Sequence, residues 1–144
     1  MSRMKKQKPF SYALTDKRVV IIEDEGISQT YLSRILRQHG LIIAGQAYNG
    51  LEGVHVVLRE RPDIVLMDLQ MPVLNGVEAA QRILAVYPVC IVFLTAHTET
   101  FTWEQAEQVG AYGYIQKPAD RITLLDSLLR AYQTFQAKIQ NQKE

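Results

Sequence analysis

Apolar residues along the chain recur in two patterns that alternate with each other. Val19, Val20, Ile21 and Ile22 form an unbroken β-branched run that stops at Glu23. Leu41 to Ala47, Ile64 to Met67, Val89 to Leu94 and Tyr112 to Gln116 repeat the type. Unbroken rather than alternating apolarity predicts strands covered on both faces, as in a parallel sheet. Between these runs the apolar positions return to a helical period: Ile27, Tyr31, Ile35 and Leu36, then Val54, Val57 and Leu58, then Val77, Ala80, Ile83 and Leu84. Thr98 to Val109 reads as a fourth helix. Ile122, Leu125, Leu128, Leu129 and Tyr132 read as the last, running on through Phe135 toward Ile139. Gly40, Pro62, Pro88 and Gly110 stand where the first four must stop. Five strands alternating with five helices through short connections imply right-handed parallel crossovers. The expected fold class is α/β, a doubly wound five-stranded parallel sheet with helices on both faces.

Composition narrows the setting. At 144 residues and 47% hydrophobic the chain is long enough to build one core without disulfides or a structural metal. No apolar run approaches the roughly 18 residues of a membrane span, and no apolar stretch follows the N-terminal lysines as in a signal peptide. The single cysteine, Cys90, lies within an apolar run and reads as a small buried hydrophobe. The expected location is the cytoplasm, away from membranes. Arg3, Lys5, Lys6, Lys8 and Lys17 against Asp16 leave residues 1–17 at +4 and the remainder at −3. Residues 1–17 are expected to be a flexible basic tail, simply solvated rather than touching nucleic acid or an anionic surface. Residues 18–137 make the domain and 138–144 a C-terminal tail. Too few residues follow the last helix for a DNA-binding module, so no direct nucleic-acid binding is expected.

Ligands of open parallel sheets bind beyond the carboxyl ends of the strands, so those ends hold the candidate chemistry. The first strand ends in Glu23-Asp24-Glu25, the third in Asp68, the fourth in Thr95-Ala96 and the fifth in Lys117-Pro118. Singly, each has a plain reading: a helix cap, a loop carboxylate, a surface charge. Together they share one rim. Glu23, Asp24 and Asp68 there would repel one another, by roughly 4 kcal/mol for a pair about 4 Å apart at an effective dielectric of about 20. Lys117 supplies one positive charge, and a divalent cation would supply the rest. An all-oxygen donor set favours Mg²⁺ over Zn²⁺. No glycine-rich phosphate cradle follows the first strand, which disfavours a nucleotide-binding enzyme.

Four stretches carry a resemblance: Val19 to Glu25, Asp63 to Gly76, Phe93 to Ala96, and Gly113 to Pro118. In this order, each at a strand end, they resemble the receiver domain of two-component response regulators, including the chemotaxis regulators. The resemblance implies a flavodoxin-like sheet in the order 2-1-3-4-5 and phosphoryl transfer to a carboxylate. Asp68 would accept a phosphoryl group from a histidine kinase, a phosphotransfer protein or a small acyl phosphate. Asp24 and Asp68 would hold Mg²⁺, with the Gln70 backbone carbonyl as a third ligand and Glu23 reaching the ion or one of its waters. Lys117 would pair with phosphoryl oxygens, and the Thr95 hydroxyl would move to bond one of them. Ala96 leaves room for the donor, while Gln70 and His97 flank the group and influence its hydrolysis. The plain reading of His97 is an exposed loop histidine, favoured by the lack of a third ligand nearby. Tyr114 stands where the family carries an aromatic switch, and its plain reading is an aromatic on an edge strand. The Lys117–Pro118 bond is expected to be cis.

The switch would act on the face of the fourth helix, fifth strand and last helix, toward a target or a second copy of this chain. Phe101, Trp103 and Tyr112 make that stretch aromatic, either as an exposed partner surface or as part of the core. As a phosphoacceptor the domain would catalyse only its own phosphorylation and dephosphorylation. Two other classes remain: a receiver-like scaffold that is not phosphorylated, and a phosphatase using Asp68 as nucleophile. The phosphatase lacks a second acid at position 70, where Gln70 stands.

Overall fold

A computed structural model describes residues 13–143. In chain order the elements are β1 (Arg18–Ile22), α1 (Gly26–Gln38), β2 (Ile42–Ala47), α2 (Gly50–Glu60), β3 (Ile64–Asp68), α3 (Gly76–Leu84), β4 (Cys90–Thr95), α4 (Trp103–Val109), β5 (Gly113–Gln116) and α5 (Arg121–Lys143). The strands form one parallel sheet in the order β2-β1-β3-β4-β5, the doubly wound arrangement expected.

The unbroken apolar runs follow from the two cores on either side of that sheet. Successive strand residues point to opposite faces. Val19 and Ile21 of β1, Leu66 of β3 and Val92 of β4 pack under α1 and α5 with Leu36, Leu124 and Leu128. Val20, Ile22, Met67 and Phe93 pack on the other side under α2, α3 and α4 with Val57, Ile83 and Ala106. Every residue of β3 and β4 is buried, because these strands are flanked in the sheet and covered above and below.

Helix starts are capped locally. The Asn49 and Asn75 side chains accept from the backbone N–H groups of Glu52 and Glu78, satisfying donors the first turn leaves open. Thr102 and Gln105 make a reciprocal capping box at α4. That box corrects the expected start of the fourth helix from Thr98 to Trp103. Residues 98–100 instead turn tightly, with the Thr100 and Phe101 N–H groups donating to the His97 carbonyl.

Three further expectations change. The α1 stripe is rotated: Ile27 is 88% and Tyr31 46% exposed, and Gln29, Leu32, Ser33, Ile35 and Leu36 face inward. Ile122 of α5 is likewise exposed, while Leu124, Leu125, Leu128, Ala131 and Tyr132 are buried. The ends of the domain also lie outside the expected boundaries. Within residues 13–17, assigned to the tail, Leu14 is buried, Asp16 N–H donates to the Gly40 carbonyl and Lys17 N–H donates to the Leu14 carbonyl. The rest of the expected basic tail, residues 1–12, lies outside the described residues. At the other end α5 runs to Lys143, past both the domain boundary expected at 137 and the helix end expected toward Ile139. The stretch from Gln133 to Lys143 contains no glycine or proline to break the helix, and Phe135 stacks on Tyr132 and meets Tyr112 edge-on.

Candidate functional site

The carboxyl ends of β1, β3, β4 and β5 converge on one rim. Glu23 directly follows β1 and is fully buried, Asp68 ends β3 and is 6% exposed, and Asp24 is open to solvent. One carboxylate oxygen from each of the three lies within 4.8 Å of the other two. Lys117 reaches in from the end of β5, with Nζ 2.9 Å from Glu23 Oε1 and 3.1 Å from Asp68 Oδ2. The second oxygen of each buried acid accepts from a backbone N–H two residues on. Glu25 N–H donates to Glu23 Oε2 at 3.1 Å, and Gln70 N–H donates to Asp68 Oδ1 at 3.2 Å. Both acids are thereby oriented by their own loops. The Lys117–Pro118 bond is cis, as expected.

The β3–α3 loop is folded back on the strand it leaves. Gly76 N–H donates to the Leu69 carbonyl at 2.8 Å, and a Cβ at Gly76 would stand 2.6 Å from the Asp68 carbonyl oxygen. Only glycine admits that approach, which explains Gly76 after the cap Asn75. Val73, at the tip, takes a φ of 72°, rare for a β-branched residue and not legible in the apolar pattern.

Burial is the largest influence on Glu23 and raises its pKa above the ordinary 4.5, with Asp68 adding to the rise and the Lys117 hydrogen bond opposing it. For Lys117, burial pulls the pKa down. The hydrogen bond to Glu23 and the charges of Asp68 and Glu23 outweigh it, so the ammonium titrates above the ordinary 10.5. The lysine is a fixed cation at neutral pH. Three carboxylates and one ammonium leave a surplus of negative charge.

The donor set suits a hard divalent cation. Oxygen ligands of one Mg²⁺ lie no more than about 4.2 Å apart, twice the ligand distance of about 2.1 Å, and the three acids, within 4.8 Å of one another, stand close to that range.

Two clefts flank the rim and separate residues expected to act together. One of about 440 Å³ is lined by Gln70, Met71, Thr95, His97 and Phe101. The other, about 380 Å³, is lined by Glu23, Tyr31, Ala96, Lys117 and Pro118. Gln70 and His97 thus share one side with Thr95, and Ala96 faces the other. His97 is exposed, with Nδ1 3.5 Å from Glu99 Oε1, while its backbone N–H donates to the buried Thr95 hydroxyl at 2.9 Å. Tyr114 on the edge strand donates its hydroxyl to the Phe101 carbonyl, and its ring lies 6.2 Å from Phe101 and 6.5 Å from Trp103. Phe101 in turn meets the buried Phe93 edge-on at 5.8 Å. Tyr112 packs on Phe135. Of the three rings left open between surface and core, Phe101 and Tyr112 are half-buried and only Trp103, at 37%, is exposed.

Gln29 was not among the expected residues. Buried on α1, its side-chain amide joins the ends of β1 and β2 just behind the acidic loop. A polar residue three before Leu32 and seven before Leu36, on the inward stripe, was the signal available.

Among the described residues no helix is long and apolar enough to cross a membrane. The profile of the response regulator receiver domain matches residues 19–129. The chain is 36% identical over 116 residues to a protein-glutamate methylesterase/protein-glutamine glutaminase of Haloarcula marismortui, covering 78% of this chain and 31% of that protein. It is 35% identical over 123 residues to the transcriptional regulatory protein PdtaR of Mycobacterium tuberculosis, covering 85% of this chain and 60% of that one. Against these curated relatives it spans less than two thirds of their length. Among solved structures, the receiver domain of the Pseudomonas aeruginosa sensor histidine kinase PA1611, which has a magnesium ion in its active-site cleft, superposes with a TM-score of 0.74. That pair is 30% identical over 83% of this chain and 99% of the other. With the profile, the 2-1-3-4-5 sheet and the acidic rim in agreement, the chain belongs to the response regulator receiver family of two-component signalling.

Proposed function

We propose that this chain is a phosphoacceptor: Asp68 takes a phosphoryl group from the phosphohistidine of a histidine kinase or phosphotransfer protein, with Mg²⁺ at the rim. The observation that carries the reading is the convergence of Glu23, Asp24, Asp68 and Lys117 at the strand ends, acidic in excess and partly buried. Asp24, Asp68 and the Gln70 carbonyl would hold the ion, with Glu23 as a further ligand or water acceptor. When bound, the ion neutralises charge on the phosphoryl oxygens. An Asp68 carboxylate oxygen attacks phosphorus, forming an acyl phosphate. The P–N bond breaks, and its electron pair stays on the imidazole nitrogen. Lys117 offers its ammonium to phosphoryl oxygens, and such transfer depends mainly on positioning and charge neutralisation. Water attack on phosphorus later releases inorganic phosphate and restores the carboxylate. Gln70 and His97 border the water's approach, and Ala96 leaves the donor side open.

The Thr95 hydroxyl, whose oxygen accepts from the His97 N–H, donates its proton to a phosphoryl oxygen, and turning toward that anion draws it away from His97. Thr95 ends β4 beside Gln116 of β5, so its movement vacates space at the strand that carries Tyr114. Release of Tyr114 from the Phe101 carbonyl then changes the α4-β5-α5 face, which binds a target or a second copy of this chain.

Intact-mass measurement after acetyl phosphate treatment tests the core of the proposal. Addition of one phosphoryl group only when Mg²⁺ is present is the expected result. Equal modification of Asp68→Asn would refute the assignment.

A further inference from the structure

The acidic loop after β1 is held from behind. Gln29, the fourth residue of α1, is 1% exposed, and its Nε2 donates to the carbonyls of Ile21 at 2.9 Å and Ala47 at 2.8 Å. The Glu23 carbonyl lies 3.4 Å from the same nitrogen. Gln29 Oε1 accepts from Gln46 Nε2 at 3.1 Å, and the Gln29 backbone N–H donates to the Glu25 carbonyl at 2.9 Å. The Ala47 carbonyl also accepts from Glu23 N–H at 3.0 Å. One side chain therefore joins the end of β1, the end of β2 and the start of α1.

Burying a primary amide is favourable only when its donors and acceptor are met, and here they are. An aliphatic residue would fill this inward position of α1 without that requirement. What the amide does, and an aliphatic chain does not, is fix the two ends of the segment from Ile21 to Gln29. Glu23, Asp24 and Glu25 lie inside that segment. Slack in it would move Glu23 away from Lys117 and Asp24 away from Asp68.

We infer that Gln29 is a positioning residue for the rim: its carboxamide sets the placement of Glu23 and Asp24 for the cation, and so for phosphoryl transfer. The inference rests on the proposed function for its metal, though not for its effect on the loop.

Gln29→Met tests it, since an unbranched side chain of similar size fills the space and removes the donors. Two readouts go beyond activity. Calorimetry should show Mg²⁺ affinity weakened by about tenfold, the scale seen when a group supporting metal ligands is lost. In metal-free protein, amide exchange should quicken at Glu25, whose N–H donates to Glu23 Oε2, and stay unchanged in β3 and β4. Ile35→Val, a mild core substitution on the same helix, should keep parental Mg²⁺ affinity and Glu25 exchange. Parental affinity and exchange in Gln29→Met, or the same losses in Ile35→Val, would overturn the inference.

If Gln29→Met does not fold, Gln46→Ala removes only the donor that orients the amide. It should weaken Mg²⁺ binding in the same direction, and no change would count against Gln29. Asp24→Asn separates the two readings. A parent that binds no Mg²⁺, or binding that survives Asp24→Asn, refutes the metal site, and Glu25 exchange in metal-free Gln29→Met then decides the role of Gln29 alone.

Discussion

At the carboxyl ends of the strands three carboxylates meet one ammonium and Glu23 is fully buried, whereas at the amino ends each acid has its own partner and the side chains are open to water. There Arg18 pairs with Glu60 at 3.2 Å and donates to the Glu60 carbonyl at 2.6 Å, and its backbone N–H donates to Asp63 Oδ2 at 2.8 Å. Arg59 holds the second oxygen of Glu60, and the Arg61 guanidinium lies over the Tyr87 ring at 4.9 Å. The two ends shift their acids in opposite directions. Burial, the largest influence, raises Glu23, while the Arg59 hydrogen bond, the largest influence, lowers Glu60. Matched charge in water closes the end of a sheet; unmatched charge under cover leaves a site that favours a cation.

Substitutions should therefore act differently at the two ends, and three of them would break the contrast if they did not. Gly76→Ala carries the largest expected effect on stability. Its Cβ meets the Asp68 carbonyl oxygen, so the loop must move, at about 2–3 kcal/mol of stability, with slower modification of Asp68. Thermal or urea denaturation reads the first, intact mass the second. A parental melting curve would mean the loop is not seated on the strand end as described.

Asp24→Asn should do the reverse to the metal-free protein. Removing one of three converging charges relieves repulsion and raises stability by about 1 kcal/mol, limited by the exposure of Asp24. Saturating Mg²⁺ should erase the advantage, because the ion stabilises only the parent. Denaturation with Mg²⁺ and with chelator checks both signs. A loss of stability without metal would show that the acids at this end are matched after all.

Glu60→Gln should produce the smallest change and the opposite sign. A carboxylate whose folded pKa lies below 4.5 binds its proton more weakly folded than unfolded, so it adds stability above that pH. That contribution is lost as pH falls through the folded value. The variant should melt slightly below the parent at pH 7 and together with it in acid, and it should bind Mg²⁺ like the parent. Glu23 runs the other way: it binds its proton more tightly folded, so its share of stability is lost as pH rises through a folded value above 4.5.

Much of this is legible in the sequence alone. The buried runs Val19 to Ile22 and Ile64 to Met67 required two covered faces, and the short connections between strands and helices left one handedness. The strand-end positions of Glu23, Asp68, Thr95 and Lys117 follow, since each ends or directly succeeds its run, and Asp24 comes one residue later. Side-chain direction within a helix was less legible. Ile27 and Tyr31 share a helical period with Ile35 but face solvent, because an apolar period defines a stripe without saying which stripe the sheet will cover. The start of α4 turned on a reciprocal pair of hydrogen bonds between Thr102 and Gln105, weaker in sequence than the apolar pattern around it.

Chain order and apolar period alone determined five strands, five helices and the end of the sheet where acids gather, because local backbone preference and alternation of side chains act between near neighbours. The pairing of Lys117 with Glu23, 94 residues away, and the capture of β1 and β2 by Gln29 depended on packing. So did the separation of Ala96 from His97 into two clefts. Contacts between distant segments depend on strand register and helix rotation, and these are set only when both cores close on the sheet at once.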